Sequence, residues 1–385
     1  MKKTAIVFIL SCIIGLALGI GGAMLFTGKS ISLGPVLLES SVIIVGFILA
    51  AYLHIIFHEA GHLICGLASG YRFVSFRVGS LTFINQDGHT RIKRFSIAGT
   101  GGQCLMSPPT NVPLEQTPTM LYNAGGVLMN LLLSGLSLAV YFLVPHDHFI
   151  TRELLLCFTF IGFFLAILNG VPLKMGGIAN DGYNMLNLSK DPQGTRDFAV
   201  QLLVNEQSQN GVRMSRMPAE WFTENPNLRL SDPIQVNAEL MRAAREIDSD
   251  RIQQAIQRLL PIVTDKKVIP LLANEAKCAL ATAFYLTGEA NLAAELLTKP
   301  LMDYIRAHAS VMSDKQLLLA AKALLTDGNR HEAERIAAEM ERKKDEYLLQ
   351  GDIAGNLEFI RRLLDHPEDT DKTTAQPQTG ITDQQ

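Results

Sequence analysis

The first half of the chain has very few charged residues. Residues 1–190 carry 18 of the 71 Asp, Glu, Lys and Arg residues, and residues 191–385 carry the other 53. The surface of a soluble domain needs more charge than this, whereas long apolar runs with few charges are typical of membrane-spanning helices. The composition therefore predicts a membrane-embedded first half and a soluble second half.

Paired cysteines and basic clusters are also missing. The five cysteines stand singly, so we expect neither a disulfide framework nor a paired-cysteine metal motif, and we expect the soluble parts to face a reducing compartment. The first half has eleven basic and seven acidic residues, and the second half has 23 and 30. Neither half has the concentrated basic face of a nucleic-acid-binding protein, so we expect no nucleic acid partner.

Four apolar runs are long enough to span a lipid bilayer, at residues 4–26, about 36–57, 121–144 and 154–173. The first run is either a retained span or a cleaved signal, because Ala17-Leu18-Gly19 offers small residues at a plausible cleavage site. Lys and Arg residues at the N-terminus and between 71 and 117 predict that both segments face the cytoplasm. We therefore expect a multi-pass protein of the cell membrane with a cytoplasmic C-terminal domain.

The stretch "HIIFHEAGHLICG" (54–66) places His58, Glu59 and His62 inside an apolar run. Residues four apart share one face of a helix, so the two histidines can bind one metal ion. The adjacent glutamate is the general base in zinc hydrolases with the His-Glu-x-x-His pattern. Ionisable residues in a membrane helix are costly and indicate function. The pattern predicts a Zn²⁺ site, and His54 is expected to form a hydrogen bond rather than to bind the metal.

A catalytic zinc ion needs a third protein ligand and an open position. Asp181 is the only acidic residue near the end of the fourth run, in "LNGVPLKMGGIANDGYNML". Asn180-Asp181-Gly182 alone is also typical of a helix-capping turn. Beside a two-histidine site that lacks a ligand, we interpret Asp181 as the third ligand.

Two asparagines are candidates for binding substrate or stabilising the oxyanion. Asn130 follows the pair Gly125-Gly126, and Asn169 precedes the helix-breaking Pro172. An interhelical hydrogen bond is the alternative role for each asparagine. The two glycines also permit close packing of helices.

These motifs resemble those of the site-2 protease family of intramembrane zinc metalloproteases. The likeness is carried by "HEAGH" (58–62), "AGGVLMN" (124–130) and "NGVP…NDG", in the family's order, and it covers residues 36–190. It implies a three-helix core, a membrane-associated β-hairpin, and hydrolysis of transmembrane or signal-peptide-derived substrates. A catalytically silent relative that acts as a binding or chaperone module is the alternative, and the intact Glu59 argues against it.

The remaining segments have simpler patterns. Alternating apolar and polar residues around "NQDGHT" predict a β-hairpin over 71–98, whose edge could bind an extended peptide. Residues 191–365 predict a soluble helical domain, and alanines at 255, 294 and 333 recur with a period of 39 residues. This is similar to tetratricopeptide-type hairpins, which bind protein partners, and a generic helical bundle is the alternative.

The sequence therefore predicts a mostly α, polytopic membrane protein with about four transmembrane helices. An N-terminal span and loop at 1–35 precede the metalloprotease core at 36–190 and the helical domain at 191–365. Residues 366–385 lack apolar periodicity and are predicted to be disordered.

Overall fold

The structure is a computed structural model that describes residues 33–86, 88–94, 101–175 and 178–365. Helices dominate the described chain, and the strands form one small sheet and one two-stranded ribbon. The predicted span at 4–26 and the predicted disordered tail at 366–385 lie outside the described residues.

Three helices in the described chain are long and apolar enough to cross a membrane. They are α1 (Leu33–Ala68), α2 (Thr119–Leu143) and α3 (Phe149–Gly170). Large apolar side chains stay exposed along them, including Ile48 at 64% and Phe142 at 73%. Apolar surface on this scale suits lipid rather than water. The three helices correspond to the second, third and fourth predicted runs.

A four-stranded antiparallel sheet follows α1, where the sequence predicted a two-stranded hairpin over 71–98. The strands are β1 (Arg72–Val78), β2 (Leu81–Gln86), β3 (His89–Arg94) and β4 (Gly102–Ser107), in the order β3-β2-β1-β4. The predicted first strand is broken at Gly79, whose φ of 58° turns the chain back between β1 and β2. The hairpin prediction was therefore wrong in strand number, because it missed this turn and the pairing of β4 with β1.

The described chain divides into two compact units. The first contains the described residues up to His54 together with Leu131–Phe164. The second contains Ile55–Asn130 and the described residues from Leu165 onward. The second unit includes the sheet, the helical domain and the predicted residues His58, Glu59, His62, Asn130, Asn169 and Asp181.

Within the first unit, the helices approach closely where a small residue allows it. A Cβ atom added to Gly46 would lie 3.1 Å from Cys157 Sγ, so α1 and α3 are in tight contact there. Phe47 meets Phe160 edge-on, with 5.9 Å between ring centroids. This is the packing expected of membrane helices, which associate through small residues and shape complementarity.

The part of the second unit after α3 is mostly helical. A ribbon of β5 (Lys174–Met175) and β6 (Ile178–Ala179) leads into the helices. The helices are α4 (Asp181–Asn187), α5 (Pro192–Gln209), α6 (Pro233–Asp248), α7 (Ile252–Thr264), α8 (Pro270–Leu286), α9 (Ala290–Leu296), α10 (Lys299–His308), α11 (Ser313–Leu325), α12 (Arg330–Arg342) and α13 (Gln350–Asp365). One buried apolar cluster from Val236 to Ile360 forms the core of this domain.

Short turns join α6 to α7, α8 to α9 and α11 to α12, at the three places where the sequence predicted turns. Each turn contains a residue with positive φ, namely Asp250 (61°), Gly288 (79°) and Gly328 (62°). These three positions are 38 and 40 residues apart, so the spacing is not constant.

Buried alanines give the register of the three helical pairs. In the second helix of each pair, Ala255, Ala293 and Ala333 are at most 1% exposed, whereas Ala294 is only half-buried. Their spacing of 38 and 40 residues matches that of the turns. The fixed period of 39 residues was therefore wrong by one residue at the middle pair, where Ala293 and not Ala294 packs against the neighbouring helix.

Candidate metal centre

The two predicted histidine ligands lie on one face of α1. His58 Nε2 and His62 Nε2 are 3.2 Å apart, and the two rings meet at 84° with 4.8 Å between centroids. The spacing of four residues produces this arrangement, because residues one turn apart on a helix are neighbours. One nitrogen of each ring is therefore available to the same point in space.

Asp181 reaches the histidines from the first turn of α4. Its Oδ2 atom lies 3.0 Å from His58 Nε2 and 3.4 Å from His62 Nε2. Burial alone would raise the pKa of this carboxyl, but hydrogen bonds and charge from the two histidines lower it well below its usual range. In the described chain these three residues form the one group of His, Cys, Asp or Glu side chains that could hold a metal ion.

The three ligand atoms have the spacing that a small metal ion requires. Ligands at about 2.0–2.1 Å from zinc in a tetrahedral site lie about 3.3 Å from one another. The three observed separations of 3.0, 3.2 and 3.4 Å are close to this value. Three protein ligands leave a fourth position for water or substrate, as catalytic zinc sites do. The donor set therefore fits a catalytic zinc ion.

Groups on α2 hold the two imidazole rings from behind. His62 Nδ1 lies 2.8 Å from the carbonyl oxygen of Tyr122, which accepts its proton and leaves Nε2 for the metal. His58 Nδ1 lies 3.2 Å from the side-chain amide of Asn130, which is fully buried. With the amide oxygen turned toward the ring, Asn130 accepts the Nδ1 proton in the same way. Asn130 thus forms the interhelical hydrogen bond that was its alternative role, and its predicted contact with substrate stays a prediction.

The glycine pair on α2 makes this approach possible. A Cβ on Gly61 would lie 2.2 Å from the carbonyl oxygen of Gly125, and a Cβ on Gly125 would lie 2.3 Å from that of Gly61. The backbones of α1 and α2 are therefore in direct contact one residue before His62. Gly126 lies against the His58 ring, since its Cβ would be 2.4–2.5 Å from three ring atoms. The predicted close packing of helices at these glycines is confirmed.

Asn180, rather than Asp181, caps the helix that carries the third ligand. Its side chain makes four hydrogen bonds to backbone groups freed by the break between α3 and α4. The amide donates to the carbonyl oxygens of Leu168 (2.8 Å) and Val171 (2.7 Å), and the oxygen accepts from the N–H groups of Leu173 (3.1 Å) and Tyr183 (2.9 Å). The capping role therefore falls to Asn180, and the Asp181 carboxylate is free to face the histidines.

The end of α3 provides a platform for α4. A Cβ on Gly182 would lie 2.1 Å from the carbonyl oxygen of Gly170, so only glycine permits this contact. Asn169, the other predicted substrate-binding asparagine, donates its side-chain amide to Leu165 O at 3.1 Å, one turn earlier on α3. This bond stabilises the end of its own helix, and a role toward substrate stays a prediction.

Glu59, the predicted general base, contacts strand β4. A Cβ on Gly102 would lie 2.7 Å from Glu59 Cγ and Oε1, and the backbone N–H of Cys104 donates to the Glu59 carboxylate. The Tyr122 hydroxyl donates to Cys104 O at 2.8 Å. Both backbone groups of Cys104 are thus engaged, so the sheet edge at this residue is not open to a peptide strand. The carboxylate also interacts electrostatically with His58, His62 and Asp181.

A buried arginine supports the same corner of the sheet. Arg77 on β1 is 2% exposed and donates to the carbonyl oxygens of Gly79 at 3.0 Å and Gly102 at 3.4 Å. Its positive charge interacts with Glu59. The sequence identified Arg77 only as one of the loop charges that set the orientation. Its spacing from Glu59 in the chain gave no signal of this contact.

His54 belongs to the first unit. Its Nε2 atom lies 2.9 Å from the carbonyl oxygen of Phe158, and the ring stacks beside that of Phe158 with 4.1 Å between centroids. The predicted hydrogen-bonding role of His54 is confirmed, and its ring is not part of the ligand cluster.

Comparisons with models of protein families, with curated proteins and with solved structures found no match. The chemistry of the site therefore has to be inferred from its own residues. Those residues comprise a metal-binding triad, an adjacent carboxylate and the backbone groups that orient them.

Proposed function

We propose that this protein is an intramembrane zinc metalloprotease that resembles the site-2 protease family. The main support is the convergence of His58, His62 and Asp181 on one point, beside a carboxylate that is not one of the three ligands. The two histidines and Glu59 lie on a helix that is long and apolar enough to cross a membrane. A metal site without a hydrolytic role has no evident need for Glu59 at this place.

The residues have separate tasks in peptide-bond hydrolysis. A bound zinc ion supplies the Lewis acidity that activates water and polarises the scissile carbonyl. Glu59 takes the proton from the attacking water and delivers it to the leaving nitrogen. The Cys104 N–H holds one side of the Glu59 carboxylate, and Tyr122 and Asn130 hold the rings of His62 and His58. Positioned proton transfer of this kind contributes roughly 10²–10⁴-fold to rate.

The proposed substrate is a membrane-spanning protein or a signal-peptide-derived segment within the lipid bilayer. The peptide bonds of a membrane helix are hidden in its own hydrogen bonds, so the substrate must unwind locally before attack. The basic residues of the loop after α1 support an orientation in which this loop and the helical domain face the cytoplasm.

Zinc content is the first test. Purified wild-type protein is expected to contain one zinc ion per chain, measured by inductively coupled plasma mass spectrometry. Asp181→Asn should lose most of the zinc, because a neutral amide is a much weaker zinc ligand than a carboxylate. Asp147→Asn, an exposed aspartate in the turn between α2 and α3, is the matched control and should retain it. Equal zinc in both variants would remove Asp181 from the site.

Proteolysis is the second test. Cells that carry Glu59→Gln are compared with cells that carry the wild type by mass spectrometry of membrane peptides. Uncleaved substrates should accumulate only with Glu59→Gln, which keeps the zinc ligands and lacks the base. Glu39→Gln removes an exposed carboxylate from the same helix and should behave as wild type. If zinc is bound but the peptide profiles of Glu59→Gln and wild-type cells are identical, the protein is a non-catalytic binding module.

A further inference from the structure

The helical domain contains a groove that the metal site does not use. It has a volume of about 290 Å³ and lies between α5, α6, α8, α11 and α13. Three of these helices, α6, α8 and α11, are the first helices of the three helical pairs. First helices that stand side by side form the inner surface of a helical-repeat array, and such surfaces bind extended ligands. The volume suits a short extended segment rather than a folded element.

The walls of the groove are acidic. Asp248, Glu275, Asp314 and Asp352 line it, and among the described lining residues there is no Lys, Arg or His. Two cations lie behind the walls: Arg213 pairs with Asp248 at 2.6 Å, and the fully buried Lys315 pairs with both Glu275 and Asp314 at 2.7 Å. Three of the four carboxylates thus have a cationic partner.

Asp352 differs from the other three carboxylates. It accepts a hydrogen bond from Ser208 at 2.6 Å, and in the described chain no cationic side chain lies within ion-pair distance of it. Burial, with the nearby charges of Asp314 and Asp248, raises the pKa of Asp352 to about 6, and the Ser208 bond only partly offsets this. A carboxylate in this environment is ionised at neutral pH at a cost in stability, which a cation in the groove would remove.

Amide side chains also line the groove. Asn205, Asn237 and Asn356 come from α5, α6 and α13, and apolar residues such as Met241 and Phe359 lie between them. A side-chain amide can donate to a peptide carbonyl and accept from a peptide N–H, so these residues match a polypeptide backbone. A simple polyamine offers cations but no carbonyl groups to pair with them.

We propose that this groove binds an extended, positively charged peptide segment of another protein. Charge complementarity with Asp352 and the other lining carboxylates selects lysine or arginine side chains, and the asparagines bind the backbone between them. The chain's own C-terminal segment, residues 366–385, does not fit this description, because it contains four acidic residues and one lysine. The proposal concerns binding alone and is independent of the proposed protease activity.

Binding of labelled peptides to the purified full-length protein in neutral detergent tests the proposal. The probes are fluorescein-labelled nonapeptides with three lysines among alanines and valines, and matched peptides with glutamate in place of lysine. Fluorescence anisotropy should detect binding of the lysine peptides alone, with an affinity that falls as salt is added. Equal binding of both sets, or no lysine peptide with a Kd below about 1 mM, would refute the proposal.

Two groove variants locate the binding. Asp352→Asn keeps an acceptor for Ser208 and removes the charge, and it should weaken lysine-peptide binding by at least about threefold. Ala244→Phe fills the groove and should abolish binding. Asp303→Asn removes an exposed carboxylate of α10 outside the groove and should have no effect.

Three results would overturn the assignment. If both groove variants melt like the wild type and bind the lysine peptides like the wild type, the peptides bind elsewhere. If spermidine competes as strongly as the best lysine peptide, the groove recognises polyamines rather than a polypeptide. If Asp303→Asn weakens binding as much as Asp352→Asn does, the effect is general electrostatic attraction.

Discussion

Gly126 is the position where the smallest substitution should disturb the metal site most. Substitution by alanine adds a single methyl group on α2, facing the His58 ring. That Cβ would lie 2.4–2.5 Å from three ring atoms, whereas ordinary contacts between such atoms are at least about 3.4 Å. The ring or the helix must therefore move by about 1 Å.

A shift of this size is large for a metal ligand. Bond lengths at a zinc site are fixed to within about 0.2 Å, so His58 must either leave the metal or rotate away from Asn130. Loss of the groups that orient a ligand typically costs 10–100-fold in metal affinity, and displacement of the ligand itself costs at least as much. We expect Gly126→Ala to weaken zinc binding by about 100-fold or more.

Zinc affinity of purified protein, measured by competition with a fluorescent chelator, checks this expectation. Gly135→Ala is the matched control, because it adds the same methyl group to the same helix at a place where nothing lies within 4 Å. It should leave zinc affinity unchanged and should not destabilise the helix, since alanine is the better helix former. Equal zinc affinity of Gly126→Ala and Gly135→Ala would show that the ring contact does not hold His58 in place.

Three further outcomes are expected. Gly102→Ala should retain zinc but lose at least about 10²-fold of the cleavage rate, because its Cβ would displace the Glu59 carboxylate; an unchanged rate would contradict this. Asn180→Ala removes four hydrogen bonds and should lower the free energy of unfolding by ~2–4 kcal/mol in thermal melts and weaken zinc binding through Asp181, whereas an unchanged melting temperature would exclude the bracing role. Asp352→Asn should raise the melting temperature at pH 7.5, by at most ~3 kcal/mol in stability, and this gain should vanish toward pH ~4. The folded-state pKa of about 6 exceeds the ordinary 3.8, so folded wild type binds more protons than unfolded chain in this interval and loses stability as pH rises; a gain independent of pH would refute this origin.

Local patterns in the sequence carried much of the fold. The apolar runs identified the three long helices of the described chain, because a membrane-length helix is defined by composition within one segment. The turns at 248–249, 287–288 and 327–328 were found from short polar motifs for the same reason. The sheet was harder to predict, since the pairing of β4 with β1 joins segments about 30 residues apart and leaves no periodic signal between them.

The candidate site shows the same division. The spacing of His58 and His62 fixed their common face, because helix geometry alone sets the relation between residues four apart. Asp181 was inferred from the scarcity of acidic residues in the first half. The contacts of Tyr122 with His62 and of Gly102 with Glu59 had no sequence signal, since each joins residues at least 40 positions apart.

The sequence by itself thus determined the helix faces, the ligand types and the change from membrane to soluble composition. Only the tertiary structure decided that Asn180 caps the helix while Asp181 faces the histidines. It also decided which glycine lies under His58 and which carboxylate of the groove has no cation beside it. These outcomes depend on how closely separate helices and strands approach, and that distance is set by packing of the whole chain rather than by any one segment.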